Sequence, residues 1–563
     1  MKRYVIFLIL AIVLGGCLDN ESQPIPEESE TPEESEIPGE EDEQLPEESE
    51  TPEVSQIPEV SEVIIHEEPV YDVIIVGAGI SGLSAAFSLQ DYTIKVLEKN
   101  DKVGGRILSG SYKGVAYAKG AEYIGKPEGL LRKMISQLKL QLREIPSPMD
   151  AQFYKGKFYY GEDAIASLFI NYSSLEEYND FALTILGYYH KYEWLPDFRA
   201  DSELAYLDFM TAREWFSHMG FPEIFADRYN VAARGLFGAN IDEISALSFI
   251  PEIAFDYEGF EPIIDTDLED SLVKGEESTE AYSFENGLSE LTDALAAYLG
   301  DKIQVNSTVT QVLQNNERYT VYYEDEKGNT HAMTSKVVIL AVPAPISLKL
   351  APDILDKEQK EILEQIPYAS YATVALFSEV PIFDRAFDLA VPDDYFFTDV
   401  YDAVWISEYY DSPGNVTPYI ITVYVAPHSY KDRSLLSMSD EEILENIYTD
   451  LEKIFPQVRQ KITGYDITRF PYAYPVMVTG AHHRLSRLHV ITHGSFLLAG
   501  DYTIYPTLEA AVESGEIAAE KAREQLSNDD NLSLMSFTIL IIIILISNIS
   551  NHYWIGIVRE ALT

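Results

Sequence analysis

At 563 residues the chain has room for two or three domains and a substantial buried core. Its 93 acidic residues against 40 basic ones leave a formal net charge of −53, which excludes nucleic acid as a partner. Cys17 is the only cysteine, so a disulfide framework, a cysteine-ligated metal site and a catalytic thiol are excluded, and no metal site is expected.

The chain opens with Lys2-Arg3, an apolar run from Val5 to Leu14, and then Gly15-Gly16-Cys17. Residues 1–17 resemble a bacterial lipoprotein-type signal, after which the mature chain begins at a lipidated Cys17. Residues 18–68 contain no Lys or Arg and repeat a loose Pro-Glu-Glu-Ser-Glu unit. With about twenty acids and little apolar surface to offset ordering entropy, this segment is expected to be a disordered, self-repelling stalk.

Beyond the stalk, Val73-Ile-Ile-Val-Gly77-Ala-Gly79-Ile80-Ser81-Gly82 runs an apolar strand through spaced glycines into an apolar-periodic helix. That pattern predicts a dinucleotide-binding turn. Gly77 permits the tight turn, Gly79 leaves the backbone open to a pyrophosphate, and Gly82 lets helix and strand pack closely. Ile80 and Ser81 open the helix whose N-terminus faces the phosphates. A second strand ends at Glu98, where a carboxylate can bind ribose hydroxyls and disfavours the extra phosphate of NADP.

Further along come Gly104-Gly105-Arg106, then Gly120-Ala121-Glu122-Tyr123-Ile124-Gly125. Leu288, Leu291, Leu295 and Leu299 recur with helical period, and strands are predicted at Lys302–Leu313 and Lys336–Val342. Near the end stand Leu497-Leu-Ala-Gly500-Asp501 and Thr507-Leu508-Glu-Ala-Ala-Val-Glu-Ser-Gly515. Residues 532–549 then form an apolar run long enough to be a candidate transmembrane helix.

From about Tyr71 to Leu526 these motifs resemble the flavin-containing amine oxidase superfamily, which includes monoamine and polyamine oxidases, protoporphyrinogen oxidases and phytoene desaturases. The resemblance implies an α/β fold: a discontinuous Rossmann-like FAD-binding domain from residues 69–150, 284–345 and 488–526, with an α+β substrate domain from 151–283 and 346–487. It implies that Gly105 and Arg106 lie against the FAD phosphates or ribityl chain, and that Gly120, Ala121 and Glu122 run beneath the flavin ring. It further implies that the Val309 backbone holds the adenine and that Asp501, after Gly500, binds the ribityl hydroxyls or nearby backbone. The helix starting near Leu508 aims its N–H groups at the flavin C2 carbonyl, where they stabilise charge on the reduced ring. Lys349, in Val342-Pro343-Ala-Pro345-Ile-Ser-Leu-Lys349, is similar to the lysine that holds a water at flavin N5, and is the expected catalytic residue.

Two departures bear on substrate. One of the two aromatic rings that usually flank the amine is replaced by Thr507, with Tyr505 close by. The run from Phe470 to Leu485, with Gly480, His482 and Arg484, resembles protoporphyrinogen oxidases and phytoene-desaturase-like relatives. The expected activity is therefore FAD-dependent oxidation of a C–N bond in a small amine or amino acid, by hydride transfer to flavin N5 and hydrolysis of the imine. The alternative is a desaturase or dehydrogenase of the protoporphyrinogen oxidase or phytoene desaturase type. FAD is expected to be non-covalent: a cysteinyl link is excluded because the body has no cysteine, and a histidyl link is the alternative left open. The protein is expected on the extracytoplasmic face of a cell membrane, held by lipid, by the C-terminal helix or by both.

Overall fold

The computed structural model describes residues 64–65, 70–264, 268–271, 273–411 and 417–528. The expected leader at 1–17, nearly all of the stalk and the apolar segment 532–549 lie outside the described residues. Among the described residues no helix is long and apolar enough to cross a membrane.

An eight-stranded sheet carries the strand order Ile303–Gln304, Ile94–Leu97, Tyr71–Val76, Thr330–Leu340, Arg318–Glu324, Thr308–Asn315, with Ile64–Ile65 and Phe496–Leu498 also on Thr330–Leu340. Thr330–Leu340 changes partners along its length. Its first half pairs antiparallel with Arg318–Glu324, and its second half pairs parallel with Tyr71–Val76 on one side and Phe496–Leu498 on the other. Val337, Val338, Ile339 and Leu340 are each fully buried, as a parallel strand covered on both faces requires. Helices Ile80–Ser88, Gly129–Leu138, Ser289–Leu299 and 508–528 cover one face through Leu83, Met134, Leu295 and Ala519.

The predicted strand Lys302–Leu313 is in fact two strands. Ile303–Gln304 pairs parallel with Ile94–Leu97, and Thr308–Asn315 pairs antiparallel with Arg318–Glu324. Asn306 breaks the run with φ +52°, a left-handed conformation that Asn tolerates better than most side chains. The broken segment still pairs locally, since Asn306 N–H and Ser307 N–H donate to the Asn100 and Glu98 carbonyls.

A seven-stranded sheet runs Ile462–Pro475, Tyr368–Ser378, Tyr419–Val425, Asp399–Asp402, Asp388–Ala390, Asp150–Tyr154, Lys157–Tyr160. Tyr368–Ser378 is buried along its whole length. Through Leu389, Val400, Val423 and Val374 one face packs on helix Asp440–Ile454, whose Ile443, Ile447 and Leu451 point inward. The other face is polar. In register across it lie Asp150, Asp388, Tyr401 and Thr422, and beside that row lie Ala390, Asp399, Tyr424 and Thr373.

Candidate functional site

The two glycine runs of the first sheet meet. Gly79 and Gly104 form a bridge, and a Cβ on Gly105 would come within 3.3 Å of the Gly79 Cα. Gly77 turns at φ +100°, where a side chain would strike the Ala341 carbonyl at 2.5 Å, and a Cβ on Gly82 would lie 2.0 Å from the Gly77 oxygen. Gly79 differs from both. A Cβ there meets nothing within 4 Å, so open space stands over the N-terminus of helix Ile80–Ser88, as a pyrophosphate cradle needs. Ile80 and Ser81 are buried in its first turn, and Ser81 hydroxyl pairs with that of Ser514 at 2.8 Å.

Glu98 is buried beside the cradle. Its carboxylate accepts from Ala78 N–H at 2.8 Å and from Asn100 N–H at 3.0 Å, which leaves each oxygen one lone pair for a ribose hydroxyl. Val309 is half-buried at a bulge in the pairing of Thr308–Asn315 with Arg318–Glu324.

Arg106 and Asp501 are bound to each other. The guanidinium donates to the two Asp501 oxygens at 2.6 and 2.8 Å and to the Ala473 carbonyl at 2.6 Å. This bidentate pair joins the first and last pieces of the cofactor fold, and it occupies on each side some of the capacity expected to serve FAD. Gly500 donates its N–H to the Ser514 hydroxyl at 2.9 Å, which fixes the turn into Asp501. Thr507 caps the helix that begins at Leu508 by accepting from Ala510 N–H at 3.2 Å.

Gly120, Ala121 and Glu122 run past Arg106, whose carbonyl accepts from Ala121 N–H. The Tyr424 hydroxyl lies 2.6 Å from the Gly120 carbonyl and 2.7 Å from Glu122 Oε2, so the second sheet reaches up to hold this strand. Burial, opposed by that Tyr424 hydrogen bond, pushes the Glu122 carboxyl up to about 7. Here the cofactor cradle meets the polar face of the second sheet.

That polar face is acidic. Burial, then repulsion from Glu162 and Asp399, pushes Asp150 up to about 6. Burial likewise raises Asp399 to about 6, against the pull of Thr398, Arg234 and Arg228. Asp388 lies well above the usual carboxylate range through burial and its neighbours Asp399 and Asp150, and its Oδ1 is buried with no hydrogen-bond partner. Helix Ala246–Ala254 and the turn after it add Glu252, raised by burial and Glu509 to about 7, and Asp256, raised by burial and by Asp150, Glu252 and Glu162 to about 8. Asp150 and Asp256 both keep contact with water. Burial, then repulsion from Asp150, Asp388, Glu252 and Asp256, holds the Tyr123 phenol well above its ordinary value. Rings of Tyr371, Tyr401, Tyr424 and Tyr474 pack edge to face along this wall, with centroids 4.9 to 5.9 Å apart.

The family model for flavin containing amine oxidoreductases matches residues 80–522. The chain belongs to this family. Among curated relatives of the flavin-containing amine oxidoreductases, amine oxidase [flavin-containing] A of Bos taurus is 24% identical over 304 residues, covering 53% of this chain and 54% of that protein. Amine oxidase [flavin-containing] B of Rattus norvegicus is 24% identical over 320 residues, covering 56% and 58%. The chain thus spans about half the length of the curated relatives it matches. Cyclohexylamine oxidase from Brevibacterium oxydans shares the fold at TM-score 0.62, with 18% identity over 82% of this chain and all of that one. A candidate protoporphyrinogen oxidase from Exiguobacterium does so at TM-score 0.60, with 19% identity over 81% and 98%. Family membership brings a flavin to the cradle, and the open backbone at Gly79 and the free lone pairs of Glu98 fit it.

Lys349 is carried by a helix whose Ala344 N–H donates to the Tyr368 hydroxyl at 3.2 Å, beside the Arg106–Asp501 pair. Ala344, Ser347 and Leu350 turn the buried face of helix Ala344–Leu350 inward, which leaves Lys349 exposed on the other side in the last turn. The helix packs against Thr308–Asn315 and Lys357–Glu364, whereas the acids and tyrosines described above are carried by the second sheet and by helix Ala246–Ala254. Tyr505 is buried, donates its hydroxyl to the Ser248 carbonyl and packs edge-on to Phe237 and Trp194.

The acids of this polar face escape sequence reasoning because no motif contains them. A signal does exist in Asp388-Leu-Ala and Asp399-Val-Tyr401, where acids alternate with apolar residues in short strands that bury their other face.

Proposed function

We propose that this flavoenzyme oxidises a small organic amine at the carbon next to nitrogen, and that it prefers cationic amines to amino acids. The polar row of the second sheet carries this reading. Carboxylates at Asp150 and Asp399, mostly ionised at neutral pH, attract an ammonium group, and the faces of Tyr401 and Tyr424 add cation–π attraction. A substrate carboxylate placed there would meet like charges in an enclosed space of low dielectric. FAD, when bound, supplies the two-electron acceptor for the C–H bond beside nitrogen.

The chain's own residues bind, orient and exclude water. The glycine cradle and Glu98 hold the dinucleotide end, Arg106 with Asp501 braces the turn between the two sheets, and Tyr424 fixes Gly120 and Glu122. No cysteine lies within the fold, so the flavin is held without a cysteinyl bond. Proteins named cyclohexylamine oxidase and putrescine oxidase have this fold, which supports an amine as substrate. From the sequence of the two ends we also propose attachment outside a cell membrane through Cys17 and residues 532–549.

The second reading, a dehydrogenase of the protoporphyrinogen oxidase type, draws on the run from Phe470 to Leu485. Anaerobic addition of amines, amino acids and porphyrinogens to the flavin-loaded protein separates the two. Bleaching of the flavin by a primary amine, with release of ammonia once water is added across the imine, is the expected outcome. Bleaching by a porphyrinogen or polyene alone would replace this reading with the second.

A further inference from the structure

Thr373 and Tyr424, opposite each other in register on the second sheet, grip the segment that packs on the cofactor cradle. The Thr373 hydroxyl donates to the Lys119 carbonyl at 2.7 Å, while the Tyr424 hydroxyl reaches both the Gly120 carbonyl at 2.6 Å and Glu122 Oε2 at 2.7 Å. Gly120 in turn lies flat against Arg106: a Cβ there would come 2.0 Å from the Arg106 carbonyl, which accepts from Ala121 N–H. Two residues before Arg106, Gly104 bridges to Gly79. The hold of the second sheet on the dinucleotide turn thus passes through the Lys119 and Gly120 carbonyls.

Counting protons decides the state of Glu122. A carbonyl can only accept, so the one proton of the Tyr424 hydroxyl goes to Gly120. An ionised carboxylate can also only accept, and two oxygens with no proton between them repel rather than settle at 2.7 Å. The second proton therefore comes from Glu122, whose neutral acid donates to the Tyr424 oxygen. The surroundings favour that form. Glu122 is half-buried, Tyr424 is buried, and burial raises the Glu122 carboxyl to about 7. The titratable groups that face the pair are Asp388, whose own value Glu122 raises, Asp399, in register with Tyr424, and the phenols of Tyr371, Tyr401 and Tyr474. The cations of this stretch are paired elsewhere, Lys119 with Asp466 at 2.9 Å and Arg106 with Asp501 at 2.6 Å.

We propose that Glu122 is held as a neutral carboxylic acid and is a positioning residue for the flavin site: it donates to Tyr424, which donates to Gly120, and its ionisation draws the Tyr424 proton away from Gly120. On ionisation the Glu122 proton leaves to water. The single hydroxyl proton of Tyr424 then has two acceptors, and the charged one competes better. Gly120 loses its donor, and the turn from Gly104 to Arg106 is left to the Lys119 carbonyl and the contacts of the Arg106 guanidinium. Flavin binding weakens as pH rises through about 7, whichever substrate the protein oxidises.

The test is FAD affinity of the full chain, by fluorescence titration across pH, for wild type, Glu122→Gln and Tyr424→Phe. Infrared difference spectra of the flavin-loaded protein between about pH 5 and about pH 9 accompany it. Wild-type affinity is expected to fall by about five- to tenfold as pH rises through about 7, the scale of one hydrogen bond. Asp150, Asp399, Glu252 and Asp256 titrate in an overlapping window, so the difference between variants carries the test. Glu122→Gln keeps a neutral donor at every pH. It should hold FAD as wild type does at low pH, keep that affinity at high pH, and lack one of the carboxylic acid carbonyl bands that wild type loses on the alkaline side. Tyr424→Phe should bind FAD weakly at both ends of the range. A Glu122→Gln that does not fold, that binds FAD poorly at every pH, or that repeats the wild-type loss would overturn the proposal, because the amide replaces the neutral acid atom for atom. An unchanged infrared difference in Glu122→Gln, or wild-type affinity at low pH in Tyr424→Phe, would overturn it equally. None of these measurements involves a substrate, so they stand or fall apart from the amine-oxidation reading.

Discussion

The two sheets build their halves of the site by opposite means. The parallel strands of the eight-stranded sheet are apolar on both faces and offer backbone: the glycine turn, the helix N-terminus, and a single carboxylate at Glu98. The seven-stranded sheet hides one apolar face on a helix and spends the other on side chains, with acids and tyrosines at alternate positions. A cofactor common to a whole family is met by backbone geometry, which few sequences can supply. A substrate is met by side chains, which can change one at a time without disturbing the strand beneath.

The sharpest way to break this contrast is within the cradle itself. Gly82→Ala should prevent accumulation of folded, flavin-loaded protein, because its Cβ would lie 2.0 Å from the Gly77 oxygen. Gly79→Ala should leave a stable apoprotein that no longer takes up flavin, since its Cβ meets only open space. Thermal unfolding and flavin content of the two variants check this. Equal loss of stability in both would mean that Gly79 serves packing rather than a ligand.

Glu98→Ala tests the one side chain in the backbone half. It leaves the Ala78 N–H and the ribose hydroxyls without an acceptor, which typically costs about 1–3 kcal/mol. FAD affinity measured by fluorescence titration should then fall by roughly ten- to a hundredfold. Unaltered affinity would remove Glu98 from the site.

The side-chain half makes a pH prediction of definite sign. Asp150, Asp399, Glu122, Glu252 and Asp256 have folded-state values pushed up to between about 6 and 8. Their unfolded values lie near 4. Raised values mean that the folded state holds protons more tightly, so the contribution to stability is fully present below about pH 4 and is lost as pH rises through about 6 to 8. Over that upper window the apoprotein should lose on the order of a few degrees in Tm. A bound diamine should restore them by compensating the ionised carboxylates. A Tm that rises from pH 6 to pH 8 without ligand would contradict the arrangement. Lys349→Met, at the far end of the scale, should alter neither flavin reduction nor reoxidation measurably, as its exposed position implies.

The same division explains what could be read in advance. Gly77, Gly79, Gly82 and Glu98 lie close together in the chain and act through local backbone geometry, so their spacing alone reports the turn. Asp150, Asp388 and Asp399 come together only through strand pairing between distant segments. Such sites are set by register and packing, which no short motif records. Lys349 was legible only by its spacing after a proline, and the structure adds that it is exposed in the last turn of a short helix. Arg106 and Asp501, each matched to the cofactor separately, were legible as residues but not as a pair.

The central claim is that the acidic, tyrosine-lined wall of the second sheet selects a cationic amine. It is tested most directly by comparing anaerobic flavin reduction by 1,4-diaminobutane and by 4-aminobutanoate, which have the same length and differ in the charge of one end. Two charges at about 4 Å in a medium of effective dielectric about 20 interact by about 4 kcal/mol, so even partial screening separates the two substrates. The account predicts that the diamine reduces the flavin at least about 100-fold more efficiently, equivalent to about 2.7 kcal/mol, with the advantage shrinking in Asp399→Asn. Equal reduction by both, or preference for the aminocarboxylate, would contradict it.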